Sequence, residues 1–518
     1  MKAVQALILG SAAGLLVAGG AQAADLPVKA KAVEYVRVCS LYGAGFFYIP
    51  GTDTCMKIGG YVRADVTFNA AGAHGQPSWS GDAGQQNRYH NYFVDRSRFL
   101  LQVDTRTATE YGVVRTFASG KFQFTTFNAG TVNPNNTATN LGNNQNLLDT
   151  PGGGYVAIQD IFIQFAGFTF GKSASAYANP WQGNPGGNLS SFLLGGFQQD
   201  NTGTNNIQYK VEFGNGVTAS IGLDDPTVWD RTAVYNLSTP LNATLNAGNA
   251  YAGVHAPDVV GNIRVDQNWG LFQISAAAHE VNASYNILTA GTAAPTNLSE
   301  ISGHPDTKWG GAVMASLWLK NIPTGAGDEI KFDASYAKGA TKYIIGTDST
   351  SPSFAMFGGT SAVGAYQSIG FGATTDAVYL PLLNGGDGSL HLTEAFGFRG
   401  GYTHNWDQHW SSSLYGSYSM VRYDDTAKGF ICGNYTPGKA VSADYVCNPD
   451  YNVSQLGFLT RWVPVKNLTF TAEVQWFHLD QKFQGSALLT PSAPKPTARY
   501  EFRDQDTVYL EFRAQRNF

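Results

Sequence analysis

The sequence predicts an all-β chain, a 16-stranded antiparallel transmembrane β-barrel. Three observations carry this. Apolar and polar residues alternate at every second position in segment after segment. The connections between those segments are short and long in turn. Charged residues make up only 14% of the chain, against about 25% in soluble domains. Aromatic residues reach 13%, and glycine 60 of 518.

The chain starts with "MKAVQALILGSAAGLLVAGGAQA". It has one lysine, an apolar core from about Ala6 to Ala18, and a small-x-small end at Ala21-Gln22-Ala23. That layout is a secretory signal peptide over 1–23 with cleavage before Ala24. A membrane anchor is the alternative, and the apolar core is too short for one. Losing Lys2 with the leader leaves 32 basic against 38 acidic residues, a net charge of −6. Mild acidity argues against a nucleic-acid partner.

Residues 24–56 form an N-terminal segment ahead of the barrel, which takes 57–518. Four cysteines fall into two close pairs, Cys39 with Cys55 and Cys432 with Cys447. In an exported chain an even count reads as disulfides. Each would close a loop of about 15 residues, contributing about 3 kcal/mol in the chain-entropy model. Zinc is the rival, but neither pair has CxxC spacing or a nearby histidine.

Each strand follows from its alternation. "KIGGYVRADVTFN" sets Ile58, Val62, Ala64, Val66 and Phe68 against Lys57, Tyr61, Arg63, Asp65 and Thr67. "NIQYKVEFGNGVTASIGLDD" does so twice around Gly214-Asn215-Gly216, residues that tolerate the positive φ of a tight hairpin. The final "DTVYLEFRAQRNF" places Val508, Leu510, Phe512, Ala514 and Phe518 on one face. Sixteen strands are expected: 57–69, 95–107, 112–127, 155–166, 168–173, 205–213, 217–225, 259–268, 270–280, 308–320, 329–340, 392–404, 410–423, 452–463, 468–480 and 506–518.

The connections include "ATEYG", "GNG", "QNWG", "WDQHW" and "VKN" on one rim. Between them run 128–153, 226–258, 281–307 and 341–391. Short turns facing the periplasm and long outer loops are the pattern of an outer-membrane barrel. A secreted β-sandwich would also alternate. It would not explain the aromatic load, the alternating loop lengths or a chain that stops on Phe518. In the clearest strands the charges keep to one face, as a wet lumen and a lipid exterior require.

"EYVRVCSLYGAGFFYIPGTDTCMKIGGYVR" (34–63) resembles the opening of the alphaproteobacterial general porins, and the terminal "YLEFRAQRNF" resembles that family's end. The resemblance implies a homotrimer in outer-membrane lipid. It would pass small hydrophilic solutes and ions, with no cofactor and no chemical step. It also implies that Phe518 closes a C-terminal signal read by the outer-membrane protein assembly machinery. In such porins the third outer loop folds into the lumen and sets the narrowest point. Here that loop is about 172–204, with Tyr177 and Trp181 supplying bulk and Asp200 its one acid. Lys172 matches the family's basic residue after Gly171.

Arg63, Arg98 and Arg115 lie at inward parity on the first three strands, with Arg96 beside them. With Lys172 they are the expected basic wall of a constriction. Period two from Phe168 and Phe170 aims Lys172 at lipid unless a bulge at Gly171 turns it. Gly171-Lys172-Ser173 ends like a phosphate-binding loop, but Ala166 stands where its first glycine belongs. His404 and His409 flank "NWDQ" and read as residues of a periplasmic turn. Two rivals remain: a solute-specific channel for sugars or oligopeptides, and an outer-membrane enzyme. No G-x-S-x-G nucleophile elbow favours the second.

Overall fold

The computed structural model describes residues 37–518 except 71–74, 89, 91, 126–152, 190–192, 198–202, 228–229, 290–292 and 347–352. The expected leader and Asp200 lie outside the described residues.

Sixteen strands build the wall. They are β1 (Thr54–Phe68), β2 (Phe93–Thr109), β3 (Gly112–Thr125), β4 (Gly153–Phe165), β5 (Phe168–Ser173), β6 (Thr204–Gly214), β7 (Val217–Asp224) and β8 (Asp258–Gln267). There follow β9 (Gly270–Val281), β10 (Lys308–Lys320), β11 (Glu329–Lys338), β12 (Glu394–Asn405), β13 (Trp410–Arg422), β14 (Tyr451–Val465), β15 (Leu468–Gln481) and β16 (Gln505–Asn517). Each pairs antiparallel with the next. The barrel closes where β1 meets β16, from Tyr61↔Asn517 to Phe68↔Leu510. Closure gives every wall strand a partner on each side, as a membrane-spanning sheet requires.

The alternation has an inverted sense. Ile58, Val62, Phe272, Ile274, Val508, Leu510 and Phe512 are exposed, while Thr67, Gln273, Ser275, Thr507 and Glu511 are buried. Apolar side chains face outward because lipid, not water, is the outer solvent.

The end of the chain seals the wall. Phe518 N donates to the Gly60 carbonyl at 3.1 Å, Gly60 N donates back at 3.3 Å, and the Phe518 ring stacks on Phe99 at 5.9 Å. Gly60 must be glycine: with φ +155°, a Cβ would lie 1.9 Å from the Leu100 carbonyl oxygen.

Both disulfides join the expected cysteines, with Cα–Cα 6.0 Å for Cys39–Cys55 and 5.9 Å for Cys432–Cys447. β1 starts at Thr54, earlier than alternation indicates, so Cys55 belongs to the strand and faces inward. Phe46 and the half-buried Tyr42 and Tyr48 pack on that disulfide.

Described segments of the outer loops fold into a cap. Residues 353–358, 367–373, 498–502 and 486–489 form one small sheet, and 233–236, 375–379 and 390–392 another. Helix α1 (Asp425–Tyr435) is N-capped by Asp424, which accepts from Ala427 N at 2.8 Å. Phe371 sits among Phe483 at 4.9 Å, Phe502 at 5.8 Å and Tyr435 at 6.0 Å.

Candidate functional site

Past Ser173 the third outer loop turns into the barrel and runs as a tongue along the inner wall. It is rich in Gly, Asn and Pro, and its described residues carry no regular structure of their own. Its backbone polar groups therefore need partners, and the wall supplies them. On the way out, Asn262 on β8 donates to the Ala176 carbonyl at 2.6 Å and Gln273 on β9 to Ala178 at 2.9 Å. Arg461 on β14 donates to Gly186 at 3.0 Å. Near the tip, Glu473 on β15 accepts from Leu189 N, and Arg513 on β16 donates to the Leu189 carbonyl at 3.3 Å.

On the return, Gln455 accepts from Leu194 N at 2.8 Å. Arg399 donates to Leu193 at 3.1 Å and Phe197 at 3.2 Å. Arg399 is itself fully buried and paired with Asp333 on β11 at 2.8 Å. The tongue presses close: a Cβ on Gly186 would lie 2.6 Å from Tyr415 Cβ.

Among the described residues, the tongue from Ala176 to Phe197 thus bonds to strands between β8 and β16. Of its expected bulk, Tyr177 is wholly buried, 4.6 Å from Tyr343 and 5.5 Å from Phe197, so it anchors the tongue. Trp181 is half-buried, its Nε1 donating to Gly183 O at 2.8 Å. No described residue of 174–197 is charged.

On β1 and β2, register makes Arg63 and Arg98 direct cross-strand partners. Arg63 Nε donates to Gln515 Oε1 at 2.7 Å and Arg98 Nε to Gln123 Oε1 at 2.7 Å. One step outward, Asp65 stands opposite both Arg96 and Arg513 and binds each. Arg513 also reaches the tongue tip, so these four arginines share its height.

Register separates the other two. Arg115 lies opposite Arg106 near the Glu110-Tyr111 turn, bonded to Asp104 at 3.1 Å and Gln164 at 2.8 Å. Arg98 pairs with Gln123, eight residues farther along β3, or about 27 Å at the usual strand rise. The two-residue turn already implies that register. Lys172 stays at outward parity, because pairing runs through Gly171 without a slip. Its amine binds the Gln159 and Gly203 carbonyls at 2.9 and 2.7 Å, and the bulge is at Gln159 instead.

The tongue's anchors Asp333, Arg399, Arg461 and Glu473 are the residues sequence reading missed. Parity marks them as inward but not as touching a loop some 200 residues away in sequence. His404 is at a short turn as expected, its Nδ1 2.7 Å from Asp328.

A family model described as a porin subfamily matches residues 25–510. The chain is 32% identical over 271 residues to porin Omp2b of Brucella abortus (strain 2308) and of Brucella suis biovar 1 (strain 1330). Each match covers 52% of this chain and 63% of the relative, so it spans less than two thirds of those porins. The outer membrane channel DcaP of Acinetobacter baumannii superposes with a TM-score of 0.56 at 12% identity, covering 91% of this chain and 99% of that one. A closed sixteen-stranded wall, an inward third loop and a family match along nearly the whole length agree: the chain belongs to the porin family of outer-membrane β-barrels.

Proposed function

We infer that the chain is a general diffusion porin, a water-filled channel for passive passage of small hydrophilic solutes and ions across the outer membrane. The observation that carries this is the tongue. It lies inside the barrel, bonded to one half of the wall, and faces a basic half with no charged described residue of its own. Such an arrangement sets a size limit and a transverse field at one height. Arg63, Arg98 and Arg96 are the basic side of the constriction, and Arg513 joins it to the tongue tip. Arg115 lies nearer the periplasmic rim, and Lys172 buttresses the wall where the tongue departs.

An ion there meets more positive than negative charge, which favours a weak anion preference. Planar-bilayer recording tests this. The double change Arg63→Ala, Arg98→Ala is expected to raise single-channel conductance and shift the reversal potential toward cations. If both stay unchanged, the arginines do not line the narrowest point.

A homotrimer is the assembly this reading entails. The outward faces of β15, β16, β1 and β2 carry the small residues Ala472, Ala514, Ala64 and Ser97 in a shallow hollow edged by Trp462, Phe470 and Phe512. Flat, weakly apolar wall suits a protein neighbour better than lipid. Mass measurement of the unheated detergent complex is expected to give three chains, and a single-chain mass rejects it. Phe518 is the signal for the assembly machinery, and its removal is expected to lower the amount of folded barrel in the membrane.

A further inference from the structure

We propose that the N-terminal hairpin, residues 37–53, is a second narrow point, a size filter at the periplasmic mouth of the channel. This rests on the reading of the chain as a water-filled channel narrowed by the tongue, and adds an exit filter to it.

Part of the hairpin completes the wall. β16 pairs with β1 from Tyr61 to Phe68, and Phe518 bonds Gly60. Toward the periplasm that edge of β1 passes to Phe47-Tyr48, paired with Met56 and Cys55. Covering an edge needs no more than this. Yet the chain before Phe47 does not stay in the plane of the sheet. Val38 bridges Phe47 on its far side, so Cys39 and Cys55 belong to alternate strands. Alternate strands of a flat sheet stand about 9.6 Å apart. The two cysteine Cα atoms are 6.0 Å apart. The strip is therefore curled toward the face that carries the Cys55 side chain, which is the lumen face.

The side chains it touches agree. Arg106 and Lys57 share the inward parity of Cys55, because register sets Cys55 against Arg106 and Lys57 against Asp104. The Arg106 guanidinium lies 4.8 Å from the Phe46 ring and 5.7 Å from the Tyr42 ring, and Lys57 Nζ lies 5.9 Å from Phe46. Arg106 is itself held, its Nη2 donating to Asp104 Oδ2 at 3.0 Å. Tyr42 and Phe46 meet edge to face at 5.9 Å. A Cβ on Gly45 would lie 3.4 Å from Lys57 Cε. Residues 42–46 thus cross the inner faces of β1 and β2. Leu41, Gly43 and Ala44 are exposed, so the loop tip stands clear of the wall and in the path of a solute. The disulfide and the cation–ring contacts fix it there. A size filter needs that fixity, since a loose loop yields to whatever passes.

The test is covalent labelling during planar-bilayer recording. All four cysteines are in disulfides, so Ala44→Cys supplies a single free thiol and the wild type is the control. A bulky methanethiosulfonate reagent added on the short-turn side is expected to cause a stepwise loss of single-channel current, with mass measurement showing the label. A labelled channel whose current does not change overturns the proposal and leaves the general porin reading standing. Polymer exclusion reads the filter directly. Cys39→Ser with Cys55→Ser is expected to admit larger polyethylene glycols from the periplasmic side and the same sizes as the wild type from the outer side. Phe46→Ala keeps the disulfide and is expected to shift the periplasmic limit the same way by less. If neither variant moves that limit, the hairpin is an edge cover only and the proposal falls. A purified barrel that conducts nothing overturns both readings.

Discussion

In the wall, Val508, Leu510 and Phe512 lie open while Thr507 and Glu511 are buried. In the cap, Phe354, Phe371 and Phe502 are buried while Asp387 and Asp425 are open. One chain applies opposite rules a few residues apart. The wall faces lipid and encloses water, so its apolar side turns out. The cap faces water on its outside and packs inward as a soluble domain does. The same residue type therefore carries opposite structural meaning according to which side of the membrane boundary it occupies.

The largest expected effect is where wall and tongue meet. Arg399→Ala strands the Asp333 carboxylate in a buried site and removes two donors to the tongue backbone. Losing one partner of such a pair costs about 3–5 kcal/mol. The expected outcome is a barrel that still assembles but conducts more, with a noisier open level. Unaltered conductance would mean the tongue keeps its place without Arg399.

Charge insertion sharpens the contrast. Leu510→Lys on the exposed wall is expected to cost about 2–4 kcal/mol near mid-membrane. Leu382→Lys, 70% exposed in the cap, is expected to stay within about 0.5 kcal/mol of neutral. Urea titration in detergent or lipid compares the two, and equal costs would break the distinction. For the cap alone, Cys432→Ser with Cys447→Ser removes a constraint of at most about 3 kcal/mol. Protease cleavage within 423–450 is expected to speed up while the wall keeps its heat-modifiable migration.

The smallest effect is acid-dependent and belongs to the short-turn rim. Burial alone would raise the Asp328 carboxyl, but donation from Thr324, Asn405 N, His404 and Tyr402 outweighs it and holds the group well below its ordinary range. A depressed carboxylate contributes stability above its unfolded pKa, about 3.9, and that contribution is lost as pH falls through the folded value. Asp328→Asn is therefore expected to flatten the acid limb of the unfolding curve below about pH 4 and to destabilise the rim at neutral pH. An unchanged acid limb would remove Asp328 from the account.

All sixteen wall strands are legible in the sequence because each has one wet and one greasy face, which writes a period of two directly into it. Arg63 and Arg98 are legible as inward for the same reason. The cap strands 367–373 and 375–379 are not. Nearly every residue in them is buried, so "QSIGFGA" and "TDAVY" carry no alternation and read as loop. Their partners are remote as well: Gln367 pairs with Tyr500, and Thr375 with Ala233.

What the sequence by itself determined is the wall: strand number, the side each residue faces, both disulfide pairs and the loop that enters the lumen. These follow from local periodicity, short spacing and a family resemblance. Only the tertiary structure decided that Glu473 and Arg399 hold the tongue, and that the described outer-loop segments close into a packed cap. Those depend on register accumulated around a closed sheet and on contacts between residues a hundred or more positions apart. No local pattern encodes such contacts, because each is settled by the packing of segments that meet only after the barrel has closed.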